Sequence, residues 1–254
     1  MTLLEVDQLT MRFGGLIAVD ALSFTVGKGT IHGLIGPNGA GKTTTFNMIS
    51  GFYTPSSGHV RFKGEEISGL PMYRVARKGL VRTFQHSTLF AELSVIENAL
   101  VGTHMQHFPA LHTALLGTDR AERRAARETA ERALDFFGLA GHAQERAGDL
   151  SHGHQRALGM AVALASAPEM VLLDEPFTGM NPEETKAMMV LMRKLNASGV
   201  TVLLVEHDMH AIMGLCDRIT CMNFGKLLAE GTASEIRNHP EVITAYLGGA
   251  RHVA

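Results

Sequence analysis

The sequence predicts an α/β protein: a parallel sheet covered by helices on both faces, an antiparallel β region ahead of it, and a block of helices inserted into it. Three observations carry this reading. Short apolar runs at residues 31–35, 170–173 and 201–205 alternate with helical segments, as buried parallel strands do. Residues 3–9 and 18–26 read instead as antiparallel strands bounded by glycine turns. From Ser94 the pattern changes from strands with short turns to helices.

Taken in order, the first strand runs into Phe13-Gly14-Gly15. Phe13 is either an exposed ring able to stack on an adenine face or a core phenylalanine. The apolar run 31–35 then opens into Gly36-Pro37-Asn38-Gly39-Ala40-Gly41-Lys42-Thr43, followed by Thr44 and a helix over 43–50. This spacing matches the P-loop pattern, in which small residues let backbone amides point at phosphates and the helix adds its positive end. Lys42 is expected to hold the β- and γ-phosphates, and the Thr43 hydroxyl to ligate magnesium. The alternative is a glycine-rich turn with no ligand.

Residues 57–63 read as a strand, 72–78 as a short helix, and 81–84 as a strand that delivers Gln85 to its end. The Gln85 amide either completes a magnesium shell or caps a turn. Ser94 and Glu97 form a capping box. Residues 119–137 read as a helix with Arg124/Glu128, Arg127/Glu131 and Glu128/Arg132 on its wet side and Ala130, Leu134 and Phe137 on its dry side. Between these helices, 108–117 is an apolar stretch expected to pack or fold over as a loop. Leu150 to Gln155 leads into a helix reaching about 166, Pro182 opens another that ends before Gly199, and a hairpin around Asn223-Phe224-Gly225 precedes two short helices.

Ligands of such folds gather at the carboxyl ends of strands, where Lys42, Gln85, Glu175 and His207 all fall. Asp174 and Glu175 end the run 170–173, so one is able to steady magnesium while the other faces an attacking water. Glu175 is expected to be the general base. A purely structural reading needs two bases beside the pair, and the local sequence provides none. His207 is placed to donate to the γ-phosphate, against the alternative of a structural histidine after a strand. A further group opposite that phosphate is missing, and the Ser151-His152-Gly153 turn is able to supply one from a second subunit.

At 254 residues, 45% hydrophobic and 19% charged, the chain has enough apolar sequence for one large domain. A net charge of -2 without a basic block argues against nucleic acid as a partner. Its two cysteines, Cys216 and Cys221, are too few for a disulfide framework and point to a reducing cytosol. His104 and His107 are the only close histidine pair on an expected helix and read as solvated or partly buried. The amino terminus lacks a signal-peptide layout, and no apolar run is long enough to cross a bilayer. Membrane work therefore requires another chain.

With these pieces in order, the chain resembles the ATP-binding subunit of an ABC transporter over nearly its full length. Gly36 to Thr43 matches Walker A, Gln85 the Q-loop, Leu150 to Gln155 the signature sequence, Met170 to Asp174 Walker B, Glu175 the catalytic base and His207 the switch histidine. The resemblance implies a P-loop NTPase with a RecA-like core and β subdomain (1–88 and 158–254) and an inserted helical subdomain (89–157). It implies ATP and magnesium as cofactors, the latter held by Thr43, Gln85 and Asp174. It also implies a head-to-tail pair of subunits in which Ser151, Gly153 and Gln155 of one chain complete the site of the other, with Asn181 in the intervening D-loop. Transmembrane permease subunits, an indirectly linked substrate-binding protein and a place on the cytoplasmic face of the inner membrane follow from the same resemblance.

Within that family the chain is most similar to the branched-chain amino acid import ATPases of the LivG type. Phe13-Gly14-Gly15-Leu16, Arg82-Thr83-Phe84-Gln85-His86, Val95 to Asn98, Glu206-His207-Asp208-Met209 and Ile243 to Gly248 carry that likeness. His152, His154 and Asn181 depart from the wider family pattern. Urea, amides or an envelope lipid are the alternative cargoes, and a non-transport ABC ATPase is the alternative class. A GTPase lacks support, because no Asn-Lys-x-Asp guanine reader follows the P-loop.

Overall fold

The computed structural model describes residues 1–83, 89–104 and 120–247. Two sheets organise it. Strands β1 (Thr2–Phe13), β2 (Leu16–Gly27), β4 (Ser57–Phe62) and β5 (Glu65–Glu66) form an antiparallel sheet in the order β2-β1-β4-β5. The second sheet has six strands in the order β10-β9-β3-β8-β7-β6. These are β3 (Ile31–Ile35), β6 (Leu80–Thr83), β7 (Met170–Asp174), β8 (Thr201–Val205), β9 (Arg218–Asn223) and β10 (Lys226–Gly231).

The strands from β9 to β6 are parallel, and only β10, joined to β9 by a tight hairpin, runs antiparallel at the edge. Every residue of β3, β7 and β8 is buried, and alternate side chains feed different cores. Val171, Leu173, Val202 and Leu204 pack with the helical elements, whereas Met170, Leu172, Leu203 and Val205 pack with the antiparallel sheet and α1 (Lys42–Ile49). This two-sided burial explains why those strands read as unbroken apolar runs.

Helices α3 (Val95–Thr103), α4 (Arg120–Phe136) and α5 (His152–Ala165) pack together; α2 (Met72–Arg77) lies before β6. The Ser94/Glu97 capping box opens α3 as expected. Gly102 allows α3 and α5 to touch, since a Cβ there would lie 2.1 Å from the Val162 carbonyl oxygen. On α4, Arg124/Glu128 and Arg127/Glu131 pair, while Arg132 donates to Thr129 instead of pairing with Glu128. The expected subdomain boundary at 157/158 falls inside α5. Gln85, His107 and the stretch 108–117 lie outside the described residues. Both cysteines are buried and unpaired. Helices α6 (Pro182–Ala197), α7 (Met209–Leu215), α8 (Ala233–Arg237) and α9 (Pro240–Leu247) complete the chain. Among the described residues no helix is long and apolar enough to cross a membrane.

Candidate nucleotide site

Between β3 and α1 the chain makes a tight loop whose glycines are required by what surrounds them. A Cβ on Gly36 would lie 2.3 Å from the Met222 carbonyl oxygen, and one on Gly41 2.5 Å from that of Ala18. Gly41 also takes a left-handed φ of 99° and caps α1 with no side chain. In consequence the backbone N–H groups of Gly39, Gly41, Lys42, Thr43 and Thr44 donate to no described residue. Unpaired amides at a helix start form an anion site.

The Lys42 ammonium lies over this loop, donating to the carbonyls of Gly36 at 2.7 Å and Pro37 at 3.1 Å. Burial lowers its pKa, and the carboxylates of Glu175 and Asp174 oppose that shift. A cavity of about 480 Å³ opens here, walled by Asn38 to Thr44, Glu175, His207 and Phe224. Phe13, at the end of β1, is exposed and meets Tyr53 edge-on at 5.4 Å.

The ends of β7 and β8 supply the remaining chemistry. Asp174 is in register with Val205, and the next residue, Glu175, donates its N–H to the Val205 carbonyl. Glu175 then turns out of the sheet at φ 48°, a left-handed conformation uncommon outside glycine. Its Oε1 meets His207 Nε2 at 2.7 Å, and Oε2 accepts from the Thr178 hydroxyl. The structure thus joins Glu175, His207 and the phosphate loop on one cavity wall.

The two bases that a purely structural reading of Asp174 and Glu175 needs, absent from the local sequence, are supplied from elsewhere in the fold. Arg82, on β6, donates to Asp174 Oδ2 at 2.7 Å, and His207 takes Glu175. Both partners come from other strand ends, 92 and 32 residues away in the chain, so inspection of the local sequence missed them.

Glu206 is a second residue whose role the sequence left unread. It is buried, and it accepts from the N–H groups of Phe177 at 2.7 Å, His207 at 2.8 Å and Asp208 at 3.4 Å. One carboxylate therefore ties the loop after β7 to the loop after β8. Burial raises its pKa, while those three backbone donors act the other way.

Magnesium suits hard oxygen donors, and the chain offers them here. The Thr43 side chain faces solvent, with no described hydrogen bond to its hydroxyl, and Asp174 Oδ1 is likewise unengaged by described residues. The residues of the 151–155 turn do not wall this cavity. Ser151 caps α5, accepting from His154 N–H at 3.3 Å, and Gln155 donates to the Leu150 carbonyl. Nothing crowds Gly153, where a Cβ would come no closer than 3.8 Å to Glu184. Asn181 caps α6 in a capping box with Glu184.

A family model described as ABC transporter matches residues 19–178, and one described as branched-chain amino acid ATP-binding cassette transporter matches residues 226–252. The chain is 49% identical to the high-affinity branched-chain amino acid transport ATP-binding protein LivG of Salmonella typhimurium, over 98% of both chains. It is 47% identical to the corresponding protein BraF of Pseudomonas aeruginosa, again over 98% of each. Among solved structures it superposes on the ADP conformation of MJ1267, an ATP-binding cassette of an ABC transporter, with a TM-score of 0.87 and 30% identity, covering 98% of this chain and 99% of that one. A phosphate loop, a carboxylate and imidazole on one wall, and full-length likeness to such cassettes lead to one conclusion: this chain belongs to the ABC transporter ATP-binding family and is an ATPase subunit.

Proposed function

We propose that this chain powers a branched-chain amino acid importer, hydrolysing magnesium-bound ATP as one of a pair of ATP-binding subunits seated on a permease at the cytoplasmic face of the inner membrane. The observation that carries the chemistry is the 2.7 Å contact between Glu175 and His207 on the wall that also holds Lys42. Residues 36–44 hold the phosphates through amides and the Lys42 charge. Thr43 and Asp174, with Gln85, hold the magnesium, which neutralises charge on the β- and γ-phosphates when bound.

Glu175 accepts the proton of a water attacking the γ-phosphorus as the bond to the ADP oxygen breaks. His207 fixes the Glu175 carboxylate and faces the γ-phosphate. Phe13 stacks on the adenine with its open face. Ser151, Gly153 and Gln155 reach the nucleotide of the partner subunit, and Asn181 lies at the junction. Ser151 is exposed and nothing crowds Gly153, which supports that reading.

The pairing is tested with an unhydrolysable ATP analogue and magnesium, alone and with the co-purified permease, by light scattering after size exclusion. A dimer is expected, and Ser151→Arg is expected to abolish it. A particle that stays single at every concentration, even on its permease, overturns the proposal. Uptake by reconstituted vesicles, with leucine, urea and an amide as competing cargoes, decides the substrate.

A further inference from the structure

Arg82, its side chain nearly enclosed, touches both the helix after the phosphate loop and the Walker B strand. Its Nη1 donates to Asn47 Oδ1 at 2.6 Å and to the Ser50 hydroxyl at 3.3 Å, both from α1 or its end. Its Nη2 donates to Asp174 Oδ2 at 2.7 Å, and its guanidinium carbon lies 5.8 Å from the Phe46 ring centre. The ion pair is sealed: the Arg82 side chain is 8% exposed and that of Asp174 3%. Asn47 stands four residues after Thr43, one helical turn along the same face.

We infer that Arg82 is a positioning residue for the magnesium site, holding Asp174 at a fixed offset from Thr43 by gripping α1 and β7 with one guanidinium. The inference rests on the proposal above that Thr43 and Asp174 hold magnesium. Three features favour positioning over a plain structural tie. The fork engages only Oδ2 of Asp174, and no described donor takes Oδ1. The same group contacts the helix whose first turn carries Thr43. A guanidinium is planar and permanently charged, so it fixes the angle as well as the distance between its two partners.

The test uses the full chain with ADP bound, stripped of metal and titrated with Mn²⁺, with free Mn²⁺ read by electron paramagnetic resonance. Arg82→Gln is expected to raise the Mn²⁺ half-saturation about tenfold, the low end for residues that orient metal ligands. ADP affinity measured in chelator is expected to stay within about twofold of the parent, because that arm does not report on the metal. Arg82→Lys keeps the charge without the fork and is expected to fall between. Asn47→Ala leaves the ion pair intact and is expected to weaken Mn²⁺ about threefold, which decides the matter should Arg82→Gln fail to fold.

If Asp174→Asn loses Mn²⁺ while Arg82→Gln, or failing that Asn47→Ala, binds it as the parent does, Arg82 is a structural tie and the inference is overturned. If Asp174→Asn also binds Mn²⁺ like the parent, the magnesium assignment falls and takes this inference with it.

Discussion

Asp174 and Glu175 follow one another in the chain, yet the first is buried at the end of β7, off the lining of the phosphate-loop cavity, and the second stands at that cavity's rim. Asp174 continues the ladder of β7, its side chain 3% exposed and bound to a permanent cation. Glu175 has left the ladder at a positive φ, is 18% exposed, and is bound to an imidazole whose charge depends on its proton. The difference matches two chemical tasks. A group that holds a cation gains from a fixed, desolvated setting with a strong second partner. A group that takes up and releases a proton needs access to water and an orienting neighbour. The left-handed turn at Glu175, a strain of about 1–3 kcal/mol, separates the two environments within one peptide.

The largest expected effect breaks the rim. Glu175→Gln keeps shape and hydrogen-bonding reach but removes the proton acceptor, so ATP turnover should fall by about 10²- to 10⁴-fold with nucleotide affinity retained. Phosphate release beside a fluorescent-nucleotide titration measures both. Parental turnover in that variant removes Glu175 from the base role.

Acid should also act on the interior. His32, on β3, is fully buried beside Phe24, with Nε2 2.8 Å from the Thr220 hydroxyl and Nδ1 meeting no described partner. Burial, helped by the Arg218 charge, lowers its pKa to about 4. The unfolded chain takes up this proton below about pH 6.5, whereas the folded chain resists it until about pH 4. Stability from this group is therefore complete above 6.5 and lost as pH falls towards 4, by about 3 kcal/mol. Urea unfolding at pH 7 and pH 4 should show His32→Leu lacking that share of the acid sensitivity. Equal pH dependence in both proteins refutes it.

Glu206 joins the loop after β7 to the loop after β8, so its loss should be felt in both stability and turnover. Glu206→Ala leaves three backbone donors without their acceptor and should cost about 2 kcal/mol in unfolding free energy. Turnover should fall as well, because Phe177 and His207 lose their common anchor. A variant as stable and active as the parent shows that water replaces the carboxylate at no penalty.

What could be read beforehand follows the range of each interaction. The apolar runs of β3, β7 and β8, the Ser94 capping box and two of the three pairs on α4 are local, set by spacings of a few residues, and the sequence displays them directly. The phosphate loop is local too, which is why Gly36 to Thr43 was legible as a unit. Arg82 and Glu206 were not, because their work is done across strand ends that only the folded sheet brings together. The hairpin that sets β10 antiparallel to β9 was legible, but the sheet it extends was not.

The smallest effect concerns the far end of the loop that begins at Glu175. That loop is tied along its length, by the Val205 carbonyl and His207 at its start, by Glu206 on Phe177 and Arg156 on the Thr178 carbonyl in its middle, and by the Asn181 cap on α6 at its end. Asn181 Oδ1 accepts from Glu183 and Glu184, each at 3.0 Å, so Asn181→Ala should cost about 1 kcal/mol, while Asn181→Asp keeps the cap. A purely capping Asn181 leaves turnover near parental in both variants once folding is complete, because the start and middle of the loop remain tied. An Asn181 that also acts at the junction between paired subunits lowers turnover in Asn181→Ala beyond what its unfolding curve explains. Measuring turnover and unfolding on the same samples separates the two, and parental turnover in Asn181→Ala would end the case for a role across the pair.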